Sequence, residues 1–207
     1  MNLPNALTVG RIAVTPLIAA LPFADSWKLR LVAFILFALA AITDYIDGHL
    51  ARSRQQETDL GRLLDPAADK LLLVGTFVPM YFLAETHPFL TPFGSVGLPG
   101  WILAVVLGRE VFMTIFRQYA KSRGIVIAAI GPAKWKTAFQ SVWQGSAYFW
   151  FFASTLAVAE GWTSAGWHGF ALFNGTVGTL MMIGAVLLTI ISLVIYLHSF
   201  RRVFATR

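Results

Sequence analysis

Long stretches without a charged residue alternate with short clusters of charge along this chain. Residues 161–200 and 137–159 contain no Asp, Glu, Lys or Arg, and each exceeds the ~20 apolar residues needed to cross a bilayer. Residues 86–108 are also free of those charges, but Pro88, Pro92 and Pro99 spoil the first part as helix, which leaves the second half to span. The apolar stretches 12–24, 31–43 and 71–84 are bounded by charge. They reach spanning length only if Arg11, Asp44, Asp47, Asp65 and Asp69 lie at or inside the membrane, and the fourth span needs Arg109 in the same way. The pattern predicts an all-α, polytopic membrane protein with six transmembrane helices over residues 7–24, 27–51, 61–83, 100–121, 133–160 and 175–200, and a loop over 161–174 where Gly161, Gly166 and Gly169 fall. With no repeat, low-complexity tract or linker, residues 1–207 read as one membrane domain. The start lacks a basic cluster and Arg11 interrupts its apolar run, unlike a cleaved signal peptide, so the first helix is expected to stay.

Composition agrees. Hydrophobic residues make up 57% and charged residues 13% of the chain, against roughly 45–50% and about 25% in soluble domains, and the mean hydropathy is +0.68. A soluble enzyme, a disordered chain and a coiled coil are all disfavoured. The net charge of +6 would point to nucleic acid in a soluble protein; here it is expected to reflect orientation, with no nucleic-acid partner. Basic residues accumulate on the cytoplasmic side of membranes. Arg52, Arg54, Arg62, Arg117, Lys121, Arg123, Lys134, Lys136, Arg201, Arg202 and Arg207 fall on one side of the six-helix scheme and only Lys28 and Arg30 on the other. Both termini are therefore expected in the cytoplasm. Trp27, Trp101, Trp135, Trp162 and Trp167 fall near span ends as an interfacial belt, and His87, His168 and His198 are expected at interfaces without a role. With no Cys in the chain, disulfides and thiol chemistry are excluded.

The informative segment runs Asp44-Tyr-Ile-Asp47-Gly48-His-Leu-Ala51-Arg52 and then Gly61-Arg-Leu-Leu-Asp65-Pro-Ala-Ala-Asp69. Asp44 and Asp47 are three apart and Asp65 and Asp69 four apart, so each pair shares a helix face, and an antiparallel turn between the helices brings all four to one cytoplasmic end. At ~4 Å spacing and an effective dielectric of ~20, each like-charge contact costs about 4 kcal/mol, so protons or cations must be held there. Oxygen-only donors suit Mg²⁺, Mn²⁺ or Ca²⁺ rather than zinc, since His49 lies about 100° or more around the helix from either aspartate. Four carboxylates suffice to bridge two ions ~3.5–4 Å apart, an arrangement suited to displacement at phosphorus. Gly48 and Ala51 leave a strip of the second helix nearly bare, open to a base or a phosphate. The plainer alternative takes each pair as solvated helix ends, with Asp65-Pro66 as a cap.

These residues resemble the signature of the CDP-alcohol phosphatidyltransferase family, Asp-x2-Asp-Gly-x2-Ala-Arg-x8-Gly-x3-Asp-x3-Asp, with every defined position present. The resemblance implies a six-helix membrane protein, a homodimer, that transfers a phosphatidyl group from a CDP-linked lipid to an alcohol and releases CMP. It further implies Asp44, Asp47, Asp65 and Asp69 as ligands of two Mg²⁺ or Mn²⁺ ions, Asp69 as the base, and Gly48, Ala51, Arg52, Thr58 and Gly61 beside the CDP moiety. The opening Leu3-Pro-Asn5-Ala-Leu-Thr8-Val-Gly-Arg11-Ile is similar to the segment that borders the nucleotide in phosphatidylglycerophosphate synthases and related cardiolipin synthases, which adds Asn5 and Thr8 to the CDP-lipid set. Arg109-Glu110, Arg117 and Gly131-Pro-Ala-Lys134-Trp-Lys136-Thr137 resemble the same group, although Pro132 and Ala133 separate Gly131 from Lys134.

Arg109, Arg117, Lys134 and Lys136 can then form a basic pocket for a phosphorylated acceptor. Their plainer reading is the cytoplasmic excess of positive charge, with snorkelling side chains. Glu110 is expected to hold one of the basic groups but not Arg109, because adjacent helical residues point apart. The expectation is a multi-pass enzyme of the bacterial inner (cytoplasmic) membrane that uses CDP-diacylglycerol and glycerol 3-phosphate among the membrane lipid. Phosphatidylglycerol, inositol phosphate or serine as acceptor is the alternative. A cation or proton-coupled transporter, which would commonly show repeated halves, is the reading from another class.

Overall fold

The computed structural model describes residues 3–54, 59–125 and 131–199, with the side chains of 3–4, 45–54, 59–60, 62–63 and 132–134 outside that description. Six helices carry the fold: α1 (Leu3–Ala20), α2 (Trp27–Arg54), α3 (Asp59–Leu83), α4 (Gly100–Ser122), α5 (Gly131–Ala159) and α6 (Ala165–Ser199). Three of them hold segments long and apolar enough to cross a membrane, Asn5–Phe23, Leu64–Leu83 and Ala165–Ser199. α5 is not among these although it is free of charge from Thr137 onward. Its Gln140, Ser141, Gln144 and Ser146 lower its hydropathy, and the reason is positional, because α5 lies in the middle of the bundle against α2, α3 and α6.

Aromatic packing sets that position. Trp143 and Tyr148 are fully buried. Trp143 meets Phe77 of α3 edge-on at 4.8 Å between ring centroids, Tyr148 stacks on Phe37 of α2 at 5.4 Å, and the Tyr148 hydroxyl donates to Ile18 O and Gly75 O at 3.2 and 3.3 Å. One phenol thus ties α5 to α1 and α3 where their backbones run close, and a Cβ on Gly75 would come within 2.7 Å of Thr15. Burying rings of this size supplies most of the apolar stabilisation available to a bundle, with pair geometry adding about 0.5–1.5 kcal/mol each. Leu39, Ile42, Phe82, Ile115 and Val194 face outward and exposed, as lipid-facing positions do.

Three differences from the sequence expectation have physical causes. The chain enters helix at Leu3 and closes α1 with a 3₁₀ turn at Leu21–Phe23 containing Pro22, where a helix to residue 24 was expected. Pro66 lies inside α3, so Asp65-Pro66 is not a helix cap. The expected loop over 161–174 is wrong from Ala165 onward: Ser164 caps α6, its Oγ accepting from Trp167 N at 3.2 Å, and Trp167 stacks on Trp150 of α5 at 5.8 Å. Tertiary packing outweighs the helix-weakening glycines there.

The proline-marked segment is not helical, as expected. It forms a hairpin, β1 (Phe89–Thr91) with β2 (Gly94–Val96), paired antiparallel with Phe89 opposite Val96, and turned at Gly94, whose φ of +115° only glycine adopts readily. The hairpin lies on α6 where glycines make room: a Cβ on Gly178 would come within 2.8 Å of the Phe89 ring, and one on Gly175 would overlap the Leu90 backbone.

Arg30 closes the same end of the bundle. Its Nε donates to Pro22 O and Ala24 O at 3.0 and 3.1 Å, and its Nη1 donates to Thr155 Oγ1 and, at 2.6 Å, to His87 Nε2. Because Arg only donates, His87 accepts at Nε2 and carries its proton on Nδ1, directed to Thr86 Oγ1 at 2.8 Å. His87, expected to have no role, is the acceptor that lets a buried guanidinium close this end. Burial, and then the neighbouring Arg30 charge, hold the His87 imidazole below its usual pKa. A folded pKa below the unfolded value of about 6.5 contributes stability that is present above that pH and lost as pH falls through the folded value. The melting temperature in detergent should therefore fall more steeply between about pH 7 and 5 in the wild type than in His87→Gln, whose amide accepts without titrating. Equal slopes would show that the pair does not bear on stability.

Candidate active site

Asp44 lies in the second half of α2, and Asp65 and Asp69 lie in the first half of α3. α1 packs along α2 and α3 and supplies what holds the carboxylates in place. Arg11, 3% exposed, donates from Nη1 to Asp44 Oδ1 and, at 3.3 Å, to Asp69 Oδ1. One turn earlier, Thr8 Oγ1 donates to Asp65 Oδ1 at 2.8 Å. The sequence assigned Thr8 to the nucleotide and gave Arg11 no site role. The signals for Arg11 are its place in the opening motif and a charge that interrupts an apolar run.

Opposite the aspartates stand α4, α5 and α6. Glu110 accepts from Lys136 Nζ and, at 2.8 Å, from Arg109 Nη1. The expectation that Glu110 cannot reach Arg109 is therefore wrong. Adjacent Cβ atoms do diverge, but both side chains are long enough to fold back, and in a buried setting ion pairing outweighs the preferred directions. Arg109 Nη2 donates to Ser192 Oγ of α6 at 3.2 Å, while its buried Nε has no hydrogen-bond partner among the described residues. Arg117, two turns further along α4, is held elsewhere: it donates to Tyr196 OH at 3.4 Å. Its guanidinium and that of Arg109 lie 5.7 and 6.0 Å from the Tyr196 ring centroid. Ser192 and Tyr196 were not anticipated, since a hydroxyl and a phenol in an apolar helix give no periodic signal.

A cavity of ≈170 Å³ joins the two sides, lined among others by Asp44, Asp69, Glu110, Lys136, Gln140 and Gln144. Of the residues expected from sequence, Asp44, Asp69 and Lys136 meet here. Asp65 stands beside them on Thr8. Asn5 and Gly61 are buried on α1 and at the start of α3. Arg109 reaches the cavity through Glu110, and Arg117 does not line it. Thr58 lies outside the described residues, as do the side chains of Asp47, Gly48, Ala51, Arg52 and Lys134.

Among the described residues no three acidic or histidine side chains form a ready metal cage. The donor set nevertheless fits a hard divalent cation: it is all oxygen, it comes from two helices that both pack on α1, and Asp44 and Asp69 already present oxygens to one shared cation, the Arg11 guanidinium.

A helical bundle with a carboxylate cluster facing buried cations across a small polar cavity is a site for polyanion chemistry, with the carboxylates placed to handle metal or proton and the cations to hold phosphate. The profile of the CDP-alcohol phosphatidyltransferase family matches residues 1–191, and the chain belongs to that family. It is 34% identical over 175 residues to CDP-diacylglycerol--glycerol-3-phosphate 3-phosphatidyltransferase 1, chloroplastic/mitochondrial, of Arabidopsis thaliana, covering 81% of this chain and 54% of that one. It is 35% identical over 147 residues to the CDP-diacylglycerol--glycerol-3-phosphate 3-phosphatidyltransferase of Cereibacter sphaeroides, covering 68% and 60%. It is 30% identical over 183 residues to the cardiolipin synthase (CMP-forming) of Streptomyces coelicolor, covering 81% and 75%. The chain thus spans little more than half the length of the first two relatives.

The Glu110 centre has a direct consequence for stability. Glu110→Gln leaves Lys136 and Arg109 buried without a counter-charge, a loss of about 3 kcal/mol by analogy with other broken buried pairs. Adding Lys136→Gln should restore part of it, read as the melting temperature in detergent. A double variant no more stable than the single one would show that the pair is not what holds α4 to α5.

Proposed function

We propose that the protein transfers the phosphatidyl group of CDP-diacylglycerol to glycerol 3-phosphate, giving phosphatidylglycerophosphate and CMP. The observation that carries this reading is the single cavity that Asp44 and Asp69 share with Glu110 and Lys136. An acceptor whose hydroxyl must meet a base and whose phosphate must meet cations needs both in one small space. Relatives named for this reaction support it.

In this mechanism Asp69 takes the proton of the acceptor's primary hydroxyl, whose oxygen attacks the lipid-bearing phosphorus. The bond from that phosphorus to the CMP oxygen breaks as the new one forms, and CMP carries away the electron pair. Two divalent ions, Mg²⁺ or Mn²⁺, held by Asp44, Asp47, Asp65 and Asp69, would neutralise the diphosphate and the departing charge. Arg11 and Thr8 keep the carboxylates aimed at one point. Gly48, Ala51, Arg52, Thr58 and Gly61, with Asn5, flank the CDP moiety. Arg109, Arg117, Lys134 and Lys136 are the cations that draw the acceptor phosphate. The setting is a multi-pass protein of a bacterial inner (cytoplasmic) membrane, with six spans, both termini cytoplasmic, and two copies per assembly.

A second reading has its own support. The Streptomyces cardiolipin synthase is covered over 75% of its length, which favours phosphatidylglycerol as the acceptor with cardiolipin as the product. Incubation of the purified protein with CDP-diacylglycerol and each acceptor, followed by mass analysis of the lipid, separates the two. Phosphatidylglycerophosphate is expected from glycerol 3-phosphate, none in excess EDTA, and recovery with Mg²⁺ or Mn²⁺. Cardiolipin without phosphatidylglycerophosphate would establish the second reading, and full activity in EDTA would remove the ions from the mechanism.

Asp69→Asn keeps the shape of the side chain and removes the proton acceptor. Turnover should drop by ~10²–10⁴ while CDP-lipid binding persists. Near-normal turnover in the folded variant would place the base elsewhere.

A further inference from the structure

Three polar residues at intervals of four, Lys136, Gln140 and Gln144, form a stripe along α5, and all three are buried. All three line the cavity that also holds Asp44 and Asp69. Two of them are satisfied within the protein: Lys136 donates to Glu110, and Gln144 Nε2 donates to Thr76 Oγ1 at 2.5 Å. Gln140 differs. It is 3% exposed, yet its Nε2 has no hydrogen-bond partner among the described residues. Buried polar groups are nearly always paired, and an unpaired one costs enough to require an explanation.

We propose that Gln140 binds the secondary hydroxyl of the acceptor and so determines which small alcohol the enzyme uses. The proposal rests on the reaction proposed above and adds a residue to it. A cavity of ≈170 Å³ exceeds what one water needs and falls below the about 300–1,000 Å³ that encloses drug-sized ligands, so it suits a small polar molecule. In glycerol 3-phosphate the reacting hydroxyl lies with Asp69 and the phosphate with the cations. The hydroxyl between them is neutral and both donates and accepts. An amide offers a donor and an acceptor on adjacent atoms, and Gln140 supplies one a single turn from Lys136, on the wall facing the aspartates. A cation or carboxylate at this position would instead compete for the phosphate or the metal.

The test compares glycerol 3-phosphate with 3-hydroxypropyl phosphate, which keeps the reacting hydroxyl and the phosphate and lacks the secondary hydroxyl. With the full-length protein in detergent and CDP-diacylglycerol, CMP release gives kcat/KM for each acceptor. The wild type should prefer glycerol 3-phosphate by at least about 10-fold, and Gln140→Met, close in shape but without the amide, should bring that preference near unity. A wild type with no preference overturns the proposal with no variant needed. Folded Gln140→Met that keeps the wild-type preference also overturns it, while leaving the reaction standing. A protein that forms lipid from neither acceptor refutes the reaction itself, and the role of Gln140 with it.

Discussion

A guanidinium buried on the first helix, shared by carboxylates of the second and third, is the interaction on which the arrangement of this protein depends. Arg11 is almost without solvent, and a charge in that position persists only when counter-charges surround it. Asp44 and Asp69 supply them. The same contact fixes the rotation and depth of α2 and α3 relative to α1, and so determines which oxygens face the cavity. Carboxylates placed close together repel one another, and here a fixed cation from a neighbouring helix offsets part of that repulsion. The other side of the cavity follows the same rule with the signs reversed, where Glu110 sits between Lys136 and Arg109.

Much of this could be read from the sequence. The helical pattern predicts six helices to within a few residues except at the start of α6, and the four-residue spacing of Asp65 and Asp69 predicts the common face of α3 from which both meet α1. What periodicity cannot show is pairing between distant helices. Arg11 with Asp44, Arg109 with Ser192, and the approach of Arg109 and Arg117 to one Tyr196 ring all join residues that share no local pattern. Gly166 and Gly169 misled for the opposite reason. They weaken a helix locally, but Trp150, Trp167 and the Ser164 cap stabilise it through contacts that composition does not reveal.

Charge position also distinguishes the two ends of the bundle. At the end that carries the aspartates, Asp44 and Asp69 are about half exposed and face the cavity, while Arg11, which pairs with both, is almost wholly buried. At the opposite end, Arg30 spends three nitrogen donors on backbone, hydroxyl, imidazole and carboxylate partners. With Nε and Nη1 committed to partners within the protein, this cation serves as a closure. Among the described residues, the cavity-lining Gln140 keeps a buried amide nitrogen with no hydrogen-bond partner.

The aromatic core has a consequence for the chemistry that distance alone would hide. Lys136, Gln140 and Gln144 address the cavity together because α5 has one rotational setting, and a turn of the helix about its axis by a single residue, about 100°, would swing all three away at once. Trp143 against Phe77 and Tyr148 against Phe37 act as a key in a lock for that angle, since neither ring has anywhere else to go in a close-packed interior. The pocket is thus indexed by aromatic pairs of which only Phe37 reaches its wall, and what it admits depends as much on how α5 is keyed as on what α5 carries.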